Sequence, residues 1–257
     1  ELARSGESHR FMPIFHIRRV GAEQLWMESR FAIGGGRGFG RVLAPTSSSS
    51  SDSPTYPQGC HVPTPLILAS ASAIRTALLR AAGVDHRVER SAIDEAPIEA
   101  AHEGDAASLA LALARAKAED VSRRLSQDWV IGGDSVVSVD GHRFAKPASR
   151  EDAAEHLRAF SGRAMELVSA VALARGGAVE WSLADRALLH VRPLSEAFIH
   201  NYLDSEWPAV GACVGVFRME GPGVQLFDRL EGSHFTILGL PLLPLLGEMR
   251  RRGLLAS

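Results

Sequence analysis

After Pro65 the apolar residues change rhythm repeatedly, and this alternation constrains the fold more than any other feature of the chain. Leu66–Leu68 is a short apolar run of the kind that forms a buried strand, and it stops at small residues and hydroxyls. A helical period follows over 72–82 and ends at Gly83. Strand patterns appear at 86–89, 129–132 and 136–139, with a long Ala/Leu-rich helix over 107–125 between the first two. Asp140-Gly141 reads as a two-residue hairpin turn. Ser149 caps a helix running to Phe160, with Asp152 as the acid of a capping box. A long hairpin spans 166–174 and 179–191 around Gly176-Gly177, and Ser195 caps a helix ending near Asp204. The last helix, over 242–251, carries Arg250 and Arg251 in its final turn, where the helix dipole favours cations. Elements mixed in this order predict an α/β or α+β domain over residues 64–257, with helices covering a curved sheet.

Residues 1–63 read differently. Seven residues from Gly34 to Gly40 include five glycines, Ser47 to Ser51 is a serine run, and prolines are scattered between. Such composition buries too little surface to offset the entropy of ordering, so this extension is predicted to be mostly disordered. Its first residue is Glu1, and Met12 and Met27 are internal, which suits an upstream read-through. The glycine cluster lacks the Lys-Ser/Thr ending of a phosphate loop and has no clear strand before it.

Bulk properties narrow the function. A net charge of −2 gives no electrostatic basis for binding nucleic acid or an anionic membrane. Cys60 and Cys213 make neither a disulfide framework nor a metal cluster, which fits a reducing cytoplasm. No apolar run is long enough to cross a bilayer, and the N-terminus lacks the apolar stretch of a signal peptide.

Five short segments carry groups suited to chemistry. Ser70-Ala71-Ser72-Ala73-Ile74-Arg75 places two hydroxyls, a helix start and a guanidinium together, the parts needed to hold a polyphosphate. Alone it is also an ordinary serine cap with a surface arginine. Asp94-Glu95 lies in a loop closed by Pro97. In Gly132-Gly133-Asp134-Ser135 two glycines interrupt a β-rich run, which suggests a bend or the close approach of a ligand. Lys146 sits in the loop before the Ser149-capped helix, and Glu231-Gly232-Ser233 precedes an apolar run. Singly these are solvated charges and turn formers. As a set they offer two acids for a divalent cation, and cations for phosphates.

The same segments, in order, resemble the Maf family of nucleoside triphosphate pyrophosphatases, also called septum formation inhibitor proteins. The matching stretches are Leu68-Ala69-Ser70-x-Ser72-x-x-Arg75-x-x-Leu78-Leu79, Ile93-Asp94-Glu95 and Ala114-x-x-Lys117-Ala118. Further on come Gly132-x-Asp134-Ser135-Val136-Val137, Lys146-Pro147 and Ser161-Gly162-Arg163. Glu231-Gly232-Ser233 and Gly239-Leu240-Pro241-Leu242 complete the set.

The resemblance implies an elongated α/β mixed-sheet fold with two lobes around a central cleft, related to the inosine triphosphate pyrophosphatases. It implies hydrolysis of a nucleoside triphosphate between the α and β phosphates, with Mg²⁺ or Mn²⁺, as house-cleaning of non-standard or surplus nucleotides. On that basis Ser70, Ser72 and Arg75 bind the phosphate chain, and Ser135 stands where the family has threonine. Asp134 is the base and a metal ligand, Glu95 shares the metal, and Lys117 and Lys146 neutralise charge on the phosphoryl oxygens. A homodimer is also implied.

Two departures bear on the base. The family's usual lysine falls near Cys213 and its usual glutamine at Glu220, so the contacts open to a nucleobase change. Arg218 is the residue that could restore the lost charge. The competing reading is a non-catalytic, nucleotide-binding regulator of cell division.

Overall fold

The computed structural model describes residues 15–19, 25–29 and 66–256. The chain divides into two units, at Gln58 and Gly59. In the first, β1 (Phe15–Arg19) and β2 (Leu25–Ser29) pair as an antiparallel sheet. The expectation of disorder over 1–63 otherwise falls on residues outside those described.

The second unit runs β3 (Leu66–Leu68), α1 (Ala73–Ala81), β4 (His86–Val88), α2 (Ala96–Ala101), α3 (Ala106–Arg124) and β5 (Trp129–Val139). It continues through β6 (His142–Phe144), α4 (Arg150–Phe160), β7 (Ala164–Arg175), β8 (Ala178–Val191) and α5 (Glu196–Glu206). After α5 come β9 (Phe227–Glu231), α6 (His234–Ile237) and α7 (Leu242–Arg251). Seven strands form one sheet in the order β4-β3-β5-β7-β8-β9, with β6 also pairing β5. β3 is parallel to both β4 and β5, and the remaining pairs are antiparallel. This is the mixed sheet that the resemblance implies, in a domain of the kind the alternating pattern predicts.

Local chemistry sets the helix starts. Side chains of Ser72, Asp105, Ser149 and Ser195 each accept a backbone N–H in the first turn of α1, α3, α4 and α5. At α4 the Asp152 carboxylate takes the N–H of Ala148, so the capping-box return bond lands one residue early. Three elements do not stand out in the sequence. Pro97 reads as closing a loop, yet it occupies the first turn of α2, where its missing N–H costs nothing. β9 and α6 are too short to show a period, and α5 runs on to Glu206.

Side chains of β5 alternate between two helical layers. Val130 and Val136 pack with α3 residues such as Leu113 and Ala114, whereas Trp129 and Ile131 pack with Leu78 and Leu79 of α1 and Leu245 and Met249 of α7. Farther along, Val137 and Val139 join a third cluster with Leu157 and Phe160 of α4 and Ile199 and Leu203 of α5. The long strands therefore carry two lobes, one around α1, α3 and α7 and the other around α4 and α5.

The glycine pair does not bend the strand. β5 is continuous from Trp129 to Val139, and a Cβ on Gly132 would lie 2.1 Å from the carbonyl oxygen of Ala114. The close neighbour is the backbone of α3. Gly132→Ala is accordingly expected to lower stability by about 2–3 kcal/mol through overpacking. Gly247→Ala, in α7 with open space around it, is expected to raise it by about 1 kcal/mol. Thermal or urea unfolding of the two variants checks both signs.

Candidate active site

β3 ends at Leu68, opposite Ile131, and β6 pairs β5 only over Val137–Val139. Between them the edge of β5 over 132–136 has no strand partner among the described residues. Its other edge stays paired to β7 throughout. This notch lies beyond the carboxyl end of β3, which runs parallel to β5 and delivers the chain to the start of α1. Such carboxyl ends of parallel strands are where open α/β sheets bind ligands.

One side of the notch is built around Arg75. Its backbone N–H is capped by Ser72 Oγ, so the side chain leaves the first turn of α1 and lies against the sheet. Nε donates to the carbonyl oxygen of Gly239 (2.7 Å), one Nη to Ser70 Oγ (3.1 Å) and the other to Ser135 Oγ (2.9 Å). Gly133 makes room for it, since a Cβ there would meet Nε at 3.3 Å. A guanidinium has five N–H donors, so the three bonds leave two for a ligand. Burial pulls the Arg75 pKa down, and Asp134 and then Glu95 pull it back up. Ser135 is held from behind: Ser169 lies opposite it on β7 with the two hydroxyl oxygens 2.9 Å apart, and Ser169 donates to the Thr236 carbonyl oxygen.

The acids meet on the other face of β5. Lys117, on α3, places Nζ 2.6 Å from Asp134 Oδ1 and 2.9 Å from Glu95 Oε1. Gly132 lets α3 come close enough for this contact, and Glu95 reaches it from the position that caps α2. Lys117, expected beside the phosphates, bridges the two carboxylates in this arrangement. The two acids share one nitrogen neighbour and so lie close enough to share a cation. Mg²⁺ is commonly held by one or two carboxylates and completed by substrate phosphate and water, a requirement this pair fits. No group of three or more His, Cys, Asp or Glu is placed to hold a metal among the described residues.

Lys146 and Glu220 are not part of that contact network. Lys146 is exposed and follows β6, whose antiparallel register with β5 sends the chain back toward the notch. Glu220 is exposed on the loop 213–221, in the second lobe. The charge of Glu220 raises the Cys213 pKa, and the charges of Arg218 and Lys146 lower it. Arg218 does not restore the charge expected there. It lies outside any strand, and its guanidinium is held by Glu206 Oε2 at 2.8 and 2.9 Å.

Sequence reading passes over Ser169, the Gly239 carbonyl, Tyr202 and Glu206. Signals exist for two of them: Ser169 is a hydroxyl within an apolar strand, and Gly239 adopts φ +94°, open mainly to glycine.

The Maf-like protein family matches residues 65–252, and the chain belongs to that family. It is 47% identical over 191 residues to a 7-methyl-GTP pyrophosphatase of Rhizobium meliloti (strain 1021), covering 73% of this chain and 96% of that protein. It is 45% identical over 189 residues to a nucleoside triphosphate pyrophosphatase of Granulibacter bethesdensis, covering 72% and 96%. A solved dITP/XTP pyrophosphatase from Mycobacterium abscessus overlaps with a TM-score of 0.34 at 16% identity, over 74% of this chain and 95% of that one, too little to bear on the fold.

Two outcomes are expected. Arg75→Ala strips three acceptors of a charged donor and should lower stability by about 3 kcal/mol, read by urea unfolding. Burial first, and Glu220 second, push the Cys213 thiol up, which lowers its thiolate fraction. Iodoacetamide should therefore alkylate Cys213 more slowly than free cysteine at pH 8, followed by peptide mass spectrometry, and Glu220→Gln should speed the reaction.

Proposed function

We propose that this chain hydrolyses nucleoside triphosphates at the notch of β5, with a methylated purine nucleotide of the 7-methyl-GTP kind as its preferred substrate. The reaction is that of a nucleoside triphosphate pyrophosphatase, giving a nucleoside monophosphate and pyrophosphate. The observation that carries the reading is the contact of Lys117 with both Asp134 and Glu95, one β-strand away from the buried Arg75.

In this reading the triphosphate lies across the start of α1. The two remaining N–H groups of Arg75, the hydroxyls of Ser70 and Ser72, and free N–H groups of the first turn take its oxygens. Ser135 keeps the guanidinium oriented. Glu95 and Asp134 hold Mg²⁺ or Mn²⁺, which supplies charge neutralisation and raises the acidity of water. Asp134 Oδ2, the oxygen that Lys117 leaves free, receives the proton of the attacking water. The water oxygen joins one product as the α–β anhydride bond breaks. Lys117 and Lys146 offset negative charge growing on the phosphoryl oxygens, the main requirement of this chemistry.

Base preference is assigned to the loop 213–221. Methylation at N7 makes guanine cationic, and its N1–H and amino group are donors. Glu220, a carboxylate where the family has an amide, complements both features. The Rhizobium meliloti relative's name agrees with this choice. A non-catalytic regulator is the weaker reading, because relatives about 45% identical over most of their length are named as enzymes. A link to septum formation rests on the family's other name alone.

The proposal also includes a cytoplasmic setting, a homodimer, and no nucleic-acid or membrane partner. Among the described residues no helix is long and apolar enough to cross a membrane.

A pyrophosphate-release screen over common and modified nucleotides, with and without Mg²⁺, tests the proposal. Release should require the divalent ion and be greatest with 7-methyl-GTP. Asp134→Asn should slow it by about 10²–10⁴-fold. Pyrophosphate release that survives this substitution refutes the role given to Asp134.

A further inference from the structure

The loop 213–221 is unusual in how it is held. Val216 adopts φ +54°, a left-handed conformation that a β-branched residue rarely takes, and it is fully buried. Strain of this kind persists only where surrounding contacts dictate it. Two of those contacts come from one face of α5. The Tyr202 hydroxyl donates to the Val216 carbonyl oxygen at 3.0 Å. One turn later on the same helix, Glu206, only 4% exposed, takes two N–H groups of Arg218.

Between and around these anchors the loop folds as two consecutive turns. Val216 N–H donates to the Cys213 carbonyl, and Gly221 N–H to the Arg218 carbonyl. Val216 and Phe217 face the core of the second lobe, with Phe217 edge-on to Phe227 at 5.0 Å. Gly221 packs beside the ion pair, where a Cβ would come within 3.5 Å of both Arg218 and Glu206. Cys213 is left half-buried and Glu220 exposed. Burial raises the Tyr202 pKa, so its hydroxyl keeps the proton it donates. Neither Tyr202 nor Glu206 is in contact with Lys117, Asp134, Glu95 or Arg75, so the phosphate half of the site does not use them.

We infer that Tyr202 and Glu206 are positioning residues for base selection: α5 is the template that fixes the strained turn at Val216 and thereby the orientation of Glu220 toward the nucleobase. This rests on the reading that loop 213–221 faces the base. Loosening the template should cost discrimination between bases while sparing the chemistry at Asp134. A purely structural role would instead lower activity on every nucleotide in proportion to the folded protein lost.

The test is steady-state hydrolysis of 7-methyl-GTP and GTP by the full chain, in five forms: unchanged, Glu220→Gln, Tyr202→Phe, Glu206→Gln and Glu206→Ala. Tyr202→Phe removes one hydroxyl and no volume, and Glu206→Gln keeps an acceptor for Arg218. KM for 7-methyl-GTP should rise about five- to tenfold in Tyr202→Phe, with kcat changed less than twofold and the preference over GTP reduced to match. Glu206→Gln should give a smaller rise than Glu206→Ala. Amide hydrogen exchange over 210–222 should quicken in Tyr202→Phe, while exchange in β5 and β7 stays as it was.

If Glu220→Gln leaves the preference intact, the assignment of the loop to the base fails, and the inference with it. If Glu220→Gln erodes the preference and Tyr202→Phe does not, the loop faces the base and the template role alone is overturned. Equal loss of kcat on both nucleotides in Tyr202→Phe also overturns it.

Discussion

The site is organised around a charge that the fold has buried. Desolvating a guanidinium is costly unless its N–H groups find acceptors, and Arg75 finds them in three separate parts of the chain. Ser70 comes from the turn before its own helix, Ser135 from the middle of β5, and the Gly239 carbonyl from the turn between α6 and α7. Satisfying one side chain therefore ties the first helix, the central strand and the C-terminal segment together. The same geometry leaves two donors and a helix start facing the unpaired edge of β5. In the proposed function, stability and anion binding are drawn from one set of bonds.

Around that centre the two faces of β5 are used differently. Gly133 and Ser135 turn to Arg75, and Asp134 turns to Lys117 on α3. The glycines make both approaches possible, Gly133 for the guanidinium and Gly132 for the helix backbone. The acids and the Arg75 guanidinium are thereby kept on opposite faces of a single strand. In the substrate-free arrangement the Lys117 ammonium balances both carboxylates, so the acids are not left facing each other without a cation. In the second lobe the candidate residues lie on loops rather than on the sheet, Lys146 after β6 and Glu220 in the 213–221 segment.

Much of this was legible locally. The Ser-x-Ser-x-x-Arg segment announces a capped helix start because capping is a bond between residues three apart, and α1 begins where that reasoning puts it. The Asp140-Gly141 turn follows from backbone preference alone, and both residues take positive φ. The glycine pair is ambiguous in sequence because a gap in side-chain volume does not say what fills it. A ligand and a neighbouring helix leave the same trace in sequence. Arg218 was misread for the same reason, since its partner Glu206 belongs to an element whose packing no local pattern reveals.

By itself, then, the sequence determined the order of elements, the caps that start the helices, the family to which the chain belongs and the roster of acids, cations and hydroxyls. These depend on neighbours along the chain or on motifs in order. Only the tertiary structure decided the pairings: Lys117 with two carboxylates, Arg75 with the Gly239 carbonyl, Tyr202 with a strained valine. Each joins residues that the packing of helices on the sheet, or of the loop on α5, brings within 3 Å, and an ion pair or hydrogen bond of that length has no counterpart in residue spacing.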